Sequence, residues 1–284
     1  MSGMVKTAVL TDSTAYIPKE LRDKWNIYMV PLNVIVDNES YQEEVDIQAD
    51  EFYERMRDME ELPKTSQPSI GMVREKLEQL SEDYDAVIAV HLSSGISGTL
   101  QGTIAAGEIV EEIDVYAYDS EISCMAQGFM ALEAARLAEE NTSPEKIIER
   151  LDEVKATNKA YFMVDDLTNL HKGGRLNTAQ AMLGSLLQVK PILHFVDGQI
   201  EPFEKIRTRK KALNRVRELF DEAATTGKEL EACVIHSQRE DEAKQWKEEL
   251  ESKYDNVSCQ ISYFGPVIGT HLGEGALGLT WYEK

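Results

Sequence analysis

Short runs of apolar, β-branched residues alternate along the chain with longer stretches whose apolar positions recur every three to four residues. Residues 5–10 predict a strand that ends in the polar turn 11–14, and Pro18 opens a short helix to about residue 25. Residues 27–36 (IYMVPLNVIV) form a second apolar run, in which Pro31 predicts an edge or a bend. Residues 43–61 carry nine acidic and two basic side chains, the pattern of a solvated helix face with its flanks. Proline and serine mark 62–70 as a loop, and Ser69 predicts the cap of a helix over 70–82. The continuous apolar run 86–90 (AVIAV) predicts a strand covered on both faces. After the loop 91–98 the pattern predicts a helix to 110, a strand over 115–118, and helices over 123–140 and, from Ser143-Pro144, to 157.

The β-α alternation of this first half predicts a parallel sheet with helices on both faces. The second half reads differently. Strands are predicted over 161–164, 189–195 and 199–207, the last two separated by the hairpin signal Val196-Asp197-Gly198. Helices over 208–225 and 240–252 and strands over 232–235, 257–263 and 276–281 follow. That order predicts a mixed or antiparallel sheet with helices on one face. The expectation is therefore an α/β protein of two domains: an N-terminal parallel-sheet domain over 1–158 and a C-terminal mixed or antiparallel α/β domain over 159–284.

Charge narrows the field. The 284 residues include 51 Asp and Glu against 30 Lys and Arg, a formal net charge of −21. Nucleic acids and anionic membranes call for a positive field, so both are disfavoured as general partners. Cys124, Cys233 and Cys259 are too few and too scattered for a disulfide framework and form no C-x-x-C pair, as expected of core thiols in a reducing compartment. The N-terminus lacks a signal-peptide pattern, and the uncharged run 176–189 is too short and polar to span a bilayer. A cytoplasmic protein is expected.

Chemistry concentrates in a few segments. Residues 91–99 (HLSSGISGT) join a buried-strand pattern to a helix pattern, which places free N–H groups at the carboxyl edge of a sheet. Either this is an anion site for phosphate or carboxylate, or it is a capped turn with small residues for tight packing. Gly95-Ile96-Ser97-Gly98-Thr99 departs from the hydrolase elbow, with Thr where the last Gly belongs. G-x-G-x-x-G occurs at 273–278, but six residues cannot supply the helix and the acidic residue that dinucleotide binding needs. Arg175, in the turn Lys172-Gly173-Gly174-Arg175, is either a bidentate carboxylate ligand or a surface charge. His271 lies in a glycine-rich run where backbone can approach a ligand closely. Residues 205–217 hold seven cations and no acid, which is either a solvated corner or a docking patch for an acidic partner.

In TDST (11–14), TSQPS (65–69), HLSSGISGT (91–99), DSEISCMAQG (119–128), VDDLTNLHKGGR (164–175), KPILHF (190–195), EKIRTRKKA (204–212) and IGTHLGEGALG (268–278), the chain resembles the DegV family along essentially its whole length. That family includes the fatty-acid-binding subunits of bacterial fatty acid kinase. The resemblance implies a two-domain α/β fold with a buried pocket for one long-chain fatty acid such as palmitate, stearate or oleate, and no other cofactor or metal. Matched residue by residue, it implies that Thr65, Ser97, Arg175 and His271 hold the carboxyl group. It implies that Arg207 contacts a separate kinase subunit, which makes the acyl phosphate for phospholipid synthesis, so that this chain is not itself a catalyst. Two other readings compete: a serine hydrolase or phosphatase using Ser97 and His271, and a regulatory interaction protein with an incidental lipid.

Overall fold

The computed structural model describes residues 5–59, 61–177 and 189–284, so most of the uncharged run 176–189 lies outside the described residues. Among the described residues the strands form three sheets. The first is parallel, in the order β2 (Ile27–Val30), β1 (Thr7–Asp12), β6 (Ala86–His91), β7 (Asp114–Asp119). Its strands alternate cleanly. Ala8, Leu10, Val87 and Ala89 face α3 (Ile70–Ser81) and α4 (Thr99–Gly107), while Val9, Ile88 and Val90 face α5 (Met125–Glu139). Every residue of β6 is fully buried, as its unbroken apolar run predicts.

The second sheet has the order β10 (Gln199–Glu204), β9 (Ile192–Val196), β8 (Lys159–Met163), β13 (Leu277–Glu283), β11 (Leu230–His236), β12 (Val257–Tyr263). Only β11 and β12 run parallel, and the β9–β10 hairpin turns through residues 197–198. The fold is thus α/β, with a parallel sheet and a separate mixed sheet, as expected. Its outer face is covered by α8 (Arg209–Ala224) and α9 (Glu240–Lys253) through Val216, Phe220, Trp246 and Leu250. Its inner face is covered as well, a departure from the single helical face expected. The alanine-rich α5 touches β1 and β6 on one side and β11 and β13 on the other, and α6 (Pro144–Thr157) packs beside it. Small side chains let two sheets approach one helix, and a single apolar cluster runs from Val9 and Ile88 through Ala131 and Ala135 to Cys233 and Tyr282.

The third sheet was not predicted. The run 27–36 bends at Pro31 and divides between sheets: β3 (Asn33–Val36) leaves the parallel sheet to pair antiparallel with β4 (Glu39–Gln42) and β5 (Lys64–Ser66). The segment expected to be wholly loop therefore contains a strand. The acidic stretch holds a shorter helix, α2 (Ala49–Arg57), and Glu43 is fully buried, whereas the charge pattern placed it on a solvated face. Two further short helices, α7 (Thr168–Lys172) and α10 (Pro266–Leu272), pack against each other, and α10 also meets β3 and β5.

Candidate functional site

A cavity of about 250 Å³ lies between the two large sheets. Leu32, Leu92, Ile96, Phe162, Phe195 and Phe264 are among its apolar walls. Thr65, Ser97, Arg175 and His271, which come from four separate parts of the chain, also line it. Thr65 is the middle residue of β5 and is held in register by pairing with Val34. Ser97 ends the loop after β6, two residues before the start of α4, and its Oγ is 2.9 Å from Thr99 Oγ1. Arg175 follows α7, and His271 sits in the last turn of α10.

These groups are braced against each other. Thr65 Oγ1 and His271 Nε2 share a hydrogen bond at 3.0 Å. Arg175 donates from Nη1 to Gly173 O at 2.7 Å and from Nε to Ile96 O at 3.2 Å. Among the described residues, its Nη2 has no protein partner. Gly173 packs against His271 Nδ1, and a methyl group there would collide with the ring. Nδ1 itself is buried without a hydrogen-bond partner. Burial, and then the Arg175 charge, pull the His271 pKa down to about 4, so the imidazole is neutral near pH 7. The wall thus offers two hydroxyls, a neutral imidazole and a guanidinium with donors to spare. That set suits one anionic oxygen group at the end of an apolar chain.

The hydrolase alternative lacks its geometry. The hydrogen-bond partner of Ser97 Oγ is Thr99, while His271 Nε2 is engaged with Thr65. A nucleophile needs a base within reach. Cys124 lines the cavity too, but burial pushes its thiol up to about 12, which keeps it protonated and unreactive. Among the described residues no cluster of His, Cys, Asp and Glu could hold a metal ion. Among them, too, no helix is long and apolar enough to cross a membrane.

Sequence reasoning missed a second polar constellation just beneath the cavity. Asp12 accepts from Thr14 N, His91 Nδ1, Leu92 N and Gln127 Nε2 at 2.9–3.0 Å, and His91 Nε2 lies 2.9 Å from Thr103 Oγ1. Glu43 Oε1 accepts from Tyr16 OH and Val267 N at 2.7 Å, and its Oε2 shares a hydrogen bond with Ser13 Oγ at 2.5 Å, which ties the end of β1 to the first turn of α10. Burial raises the Glu43 pKa to about 8.

The basic run 205–217 proves less exposed than its composition suggests. Arg209 pairs with Asp165 and Glu242, Arg215 with Glu204 and Glu218, and Arg217 with Glu249. Arg207, Lys210 and Lys211 stay exposed where β10 leads into α8.

Known proteins share this architecture. A family model described as DegV matches residues 6–284. Protein DegV of Bacillus subtilis is 58% identical over 278 residues, covering 98% of this chain and 99% of that one. The crystal structure of that fatty-acid-binding protein superposes with a TM-score of 0.94 over 99% of this chain and 100% of that one, at 56% identity. A fatty-acid-binding DegV family protein from Streptococcus agalactiae gives a TM-score of 0.89 at 34% identity, with 99% of each chain covered.

Proposed function

The chain belongs to the DegV family, and from that premise we propose that it binds one long-chain fatty acid in the cavity between its sheets and presents the carboxyl group to a separate fatty acid kinase. The observation that carries this reading is the cavity wall. Apolar side chains from both halves of the molecule surround it, and Thr65, Ser97, Arg175 and His271 supply its polar lining. The carboxylate takes hydrogen bonds from Ser97 and from the free side of Arg175, while the Thr65–His271 pair adds a hydroxyl held in place by a neutral ring. The relatives described as fatty-acid-binding proteins support the ligand class.

The energetics favour retention. A 16-carbon chain at about 0.8 kcal/mol per buried CH₂ yields roughly 12 kcal/mol gross, part of which is offset by ordering the chain. Phosphoryl transfer to the carboxylate needs positioned phosphates and a metal. In this reading the partner kinase supplies both, this chain is a non-catalytic subunit of the cytoplasm, and the acyl phosphate feeds phospholipid synthesis. The kinase docks at Arg207, flanked by the exposed Lys210 and Lys211. Residues 1–158 and 159–284 form the two domains of this reading, and the ligand lies between them.

Denaturing extraction of the purified protein followed by mass spectrometry tests the proposal. One fatty acid per chain is expected. A protein that carries none, and takes up none when palmitate or oleate is added, refutes it.

A further inference from the structure

Gln67 lines the same cavity as Thr65 and Ser97, yet it is exposed and makes no hydrogen bond among the described residues. Its backbone is pinned on both sides. Thr65 and Ser66 pair with β3, Pro68 is buried, and Ser69 Oγ caps α3 by accepting from Met72 N at 3.1 Å. Its side chain lies along the start of α4. A methyl group on Gly98 would collide with Gln67 Oε1, and one on Gly102 would come within 3.3 Å of Nε2.

Those two glycines are four residues apart and so share a face of α4. Gly98 has φ −85° and ψ 7°, a conformation open to any residue. Backbone freedom therefore does not demand a glycine there, and a methyl at this position would displace the flexible end of Gln67 from its present seat. Glycine inside a helix costs stability relative to alanine, so Gly102 also keeps this groove open at some expense.

We propose that Gln67 is a cap on the polar end of the ligand. Seated in the Gly98–Gly102 groove, the amide turns its NH₂ group, which lies toward Gly102, to the ligand carboxylate as a hydrogen-bond donor and covers it from solvent, and it swings out of the groove when ligand is exchanged. This rests on the fatty-acid reading above and adds to it a residue that governs release. A flexible side chain on a fixed backbone suits the role, because it moves without disturbing Thr65 two residues earlier.

Release of cis-parinaric acid, a fluorescent long-chain fatty acid, from loaded protein into excess phosphatidylcholine vesicles tests the cap. Losing one hydrogen bond to a charged group should speed release about tenfold in Gln67→Ala. Gly98→Ala should do the same with Gln67 still present, because the added methyl evicts the amide. The double variant should release no faster than either single one, since both remove one contact. Circular dichroism and melting curves confirm that each variant is folded before its rate is compared. Wild-type release from Gln67→Ala overturns the proposal. So do effects that multiply in the double variant, because Gly98 would then act independently of Gln67. Wild-type protein that fails to take up cis-parinaric acid counts against the fatty-acid reading itself and is recognised before any variant is compared.

Discussion

Two polar constellations lie close together in this molecule and behave in opposite ways. Asp12, His91, Thr103 and Gln127 are all at most 1% exposed, and each spends its hydrogen-bonding capacity on the others, on the Thr11 and Thr14 hydroxyls or on nearby backbone. Thr65, Ser97, Arg175 and His271 are only partly buried, and Arg175 Nη2 and His271 Nδ1 find no partner among the described residues. All of these residues except Thr103 fall in the segments that carry the family resemblance, so motif content does not separate the two groups. Satisfaction does. A closed network stabilises its surroundings, while open valences beside an apolar cavity are available to a ligand.

The sharpest way to break this contrast is Asp12→Ala. It leaves Thr14 N, His91 Nδ1 and Leu92 N without their acceptor in a dry interior, at about 1–3 kcal/mol each. A loss of about 5 kcal/mol or more in urea denaturation is expected, enough to prevent folding at 37 °C. Near-wild-type stability would show that the network is dispensable.

Glu43→Gln comes next. The folded carboxyl keeps its proton up to about pH 8, against 4.5 for the free side chain. Between those values the folded state binds more protons than the unfolded state, so this group makes stability fall as pH rises. Glutamine can still accept from Tyr16 and Val267 through its carbonyl while its amide donates to Ser13. Its advantage over the wild type should therefore be small at pH 4.5 and grow to on the order of 4 kcal/mol by pH 8.5. Melting curves across that range check it, and a gap that does not change with pH would mean Glu43 is ionised throughout.

Ser97→Ala and Arg175→Ala should act on the other constellation alone. Ligand retention should weaken by about 1–3 kcal/mol, with the melting temperature of delipidated protein unchanged. Calorimetric titration with palmitate reads the first quantity, and unchanged affinity in both variants would remove the carboxylate from this wall. Arg207→Ala should have the smallest effect on the protein itself. It keeps its ligand and its melting temperature, and its defect shows only as lost acyl-phosphate production in assays that include the kinase. Full turnover with the kinase would dismiss the docking role, and loss of ligand would place Arg207 in the pocket.

How much of this was legible in the sequence depends on how local the cause is. The strand at 86–91 was readable because burial on both faces leaves an unbroken apolar run. Strand β5 was not, because Lys64-Thr65-Ser66 carries no strand pattern and exists only by pairing with β3. Glu43 was misread because its partners, Ser13 and Val267, are 30 and 224 residues away. The same blindness affected the basic run, where the acids that neutralise Arg209 and Arg217 come from distant segments. Thr65 is reached through family resemblance alone, whereas the Ser97 loop, the basic turn at Arg175 and the glycine-rich run around His271 each carry a local signal that leaves a bland alternative open. Gln67 had a faint signal in the spacing of Gly98 and Gly102, which means nothing until something is seen lying on them.

The cavity draws its walls from Leu32 and Leu92 on one side of the chain's midpoint and from Phe162 and Phe264 on the other. Whatever fills it becomes interior substance to both halves at once. On the proposed fatty-acid reading, an acyl chain there is in effect a late-arriving piece of core, bound by the native state and not by the unfolded one. Its free-energy contribution grows with the logarithm of its concentration over its dissociation constant, about 2.7 kcal/mol at a hundredfold excess. The empty protein should accordingly be the fragile form, quicker to be cut by proteases and the first to disappear when supply of the lipid fails. Cellular abundance would then report on lipid supply without any dedicated sensor.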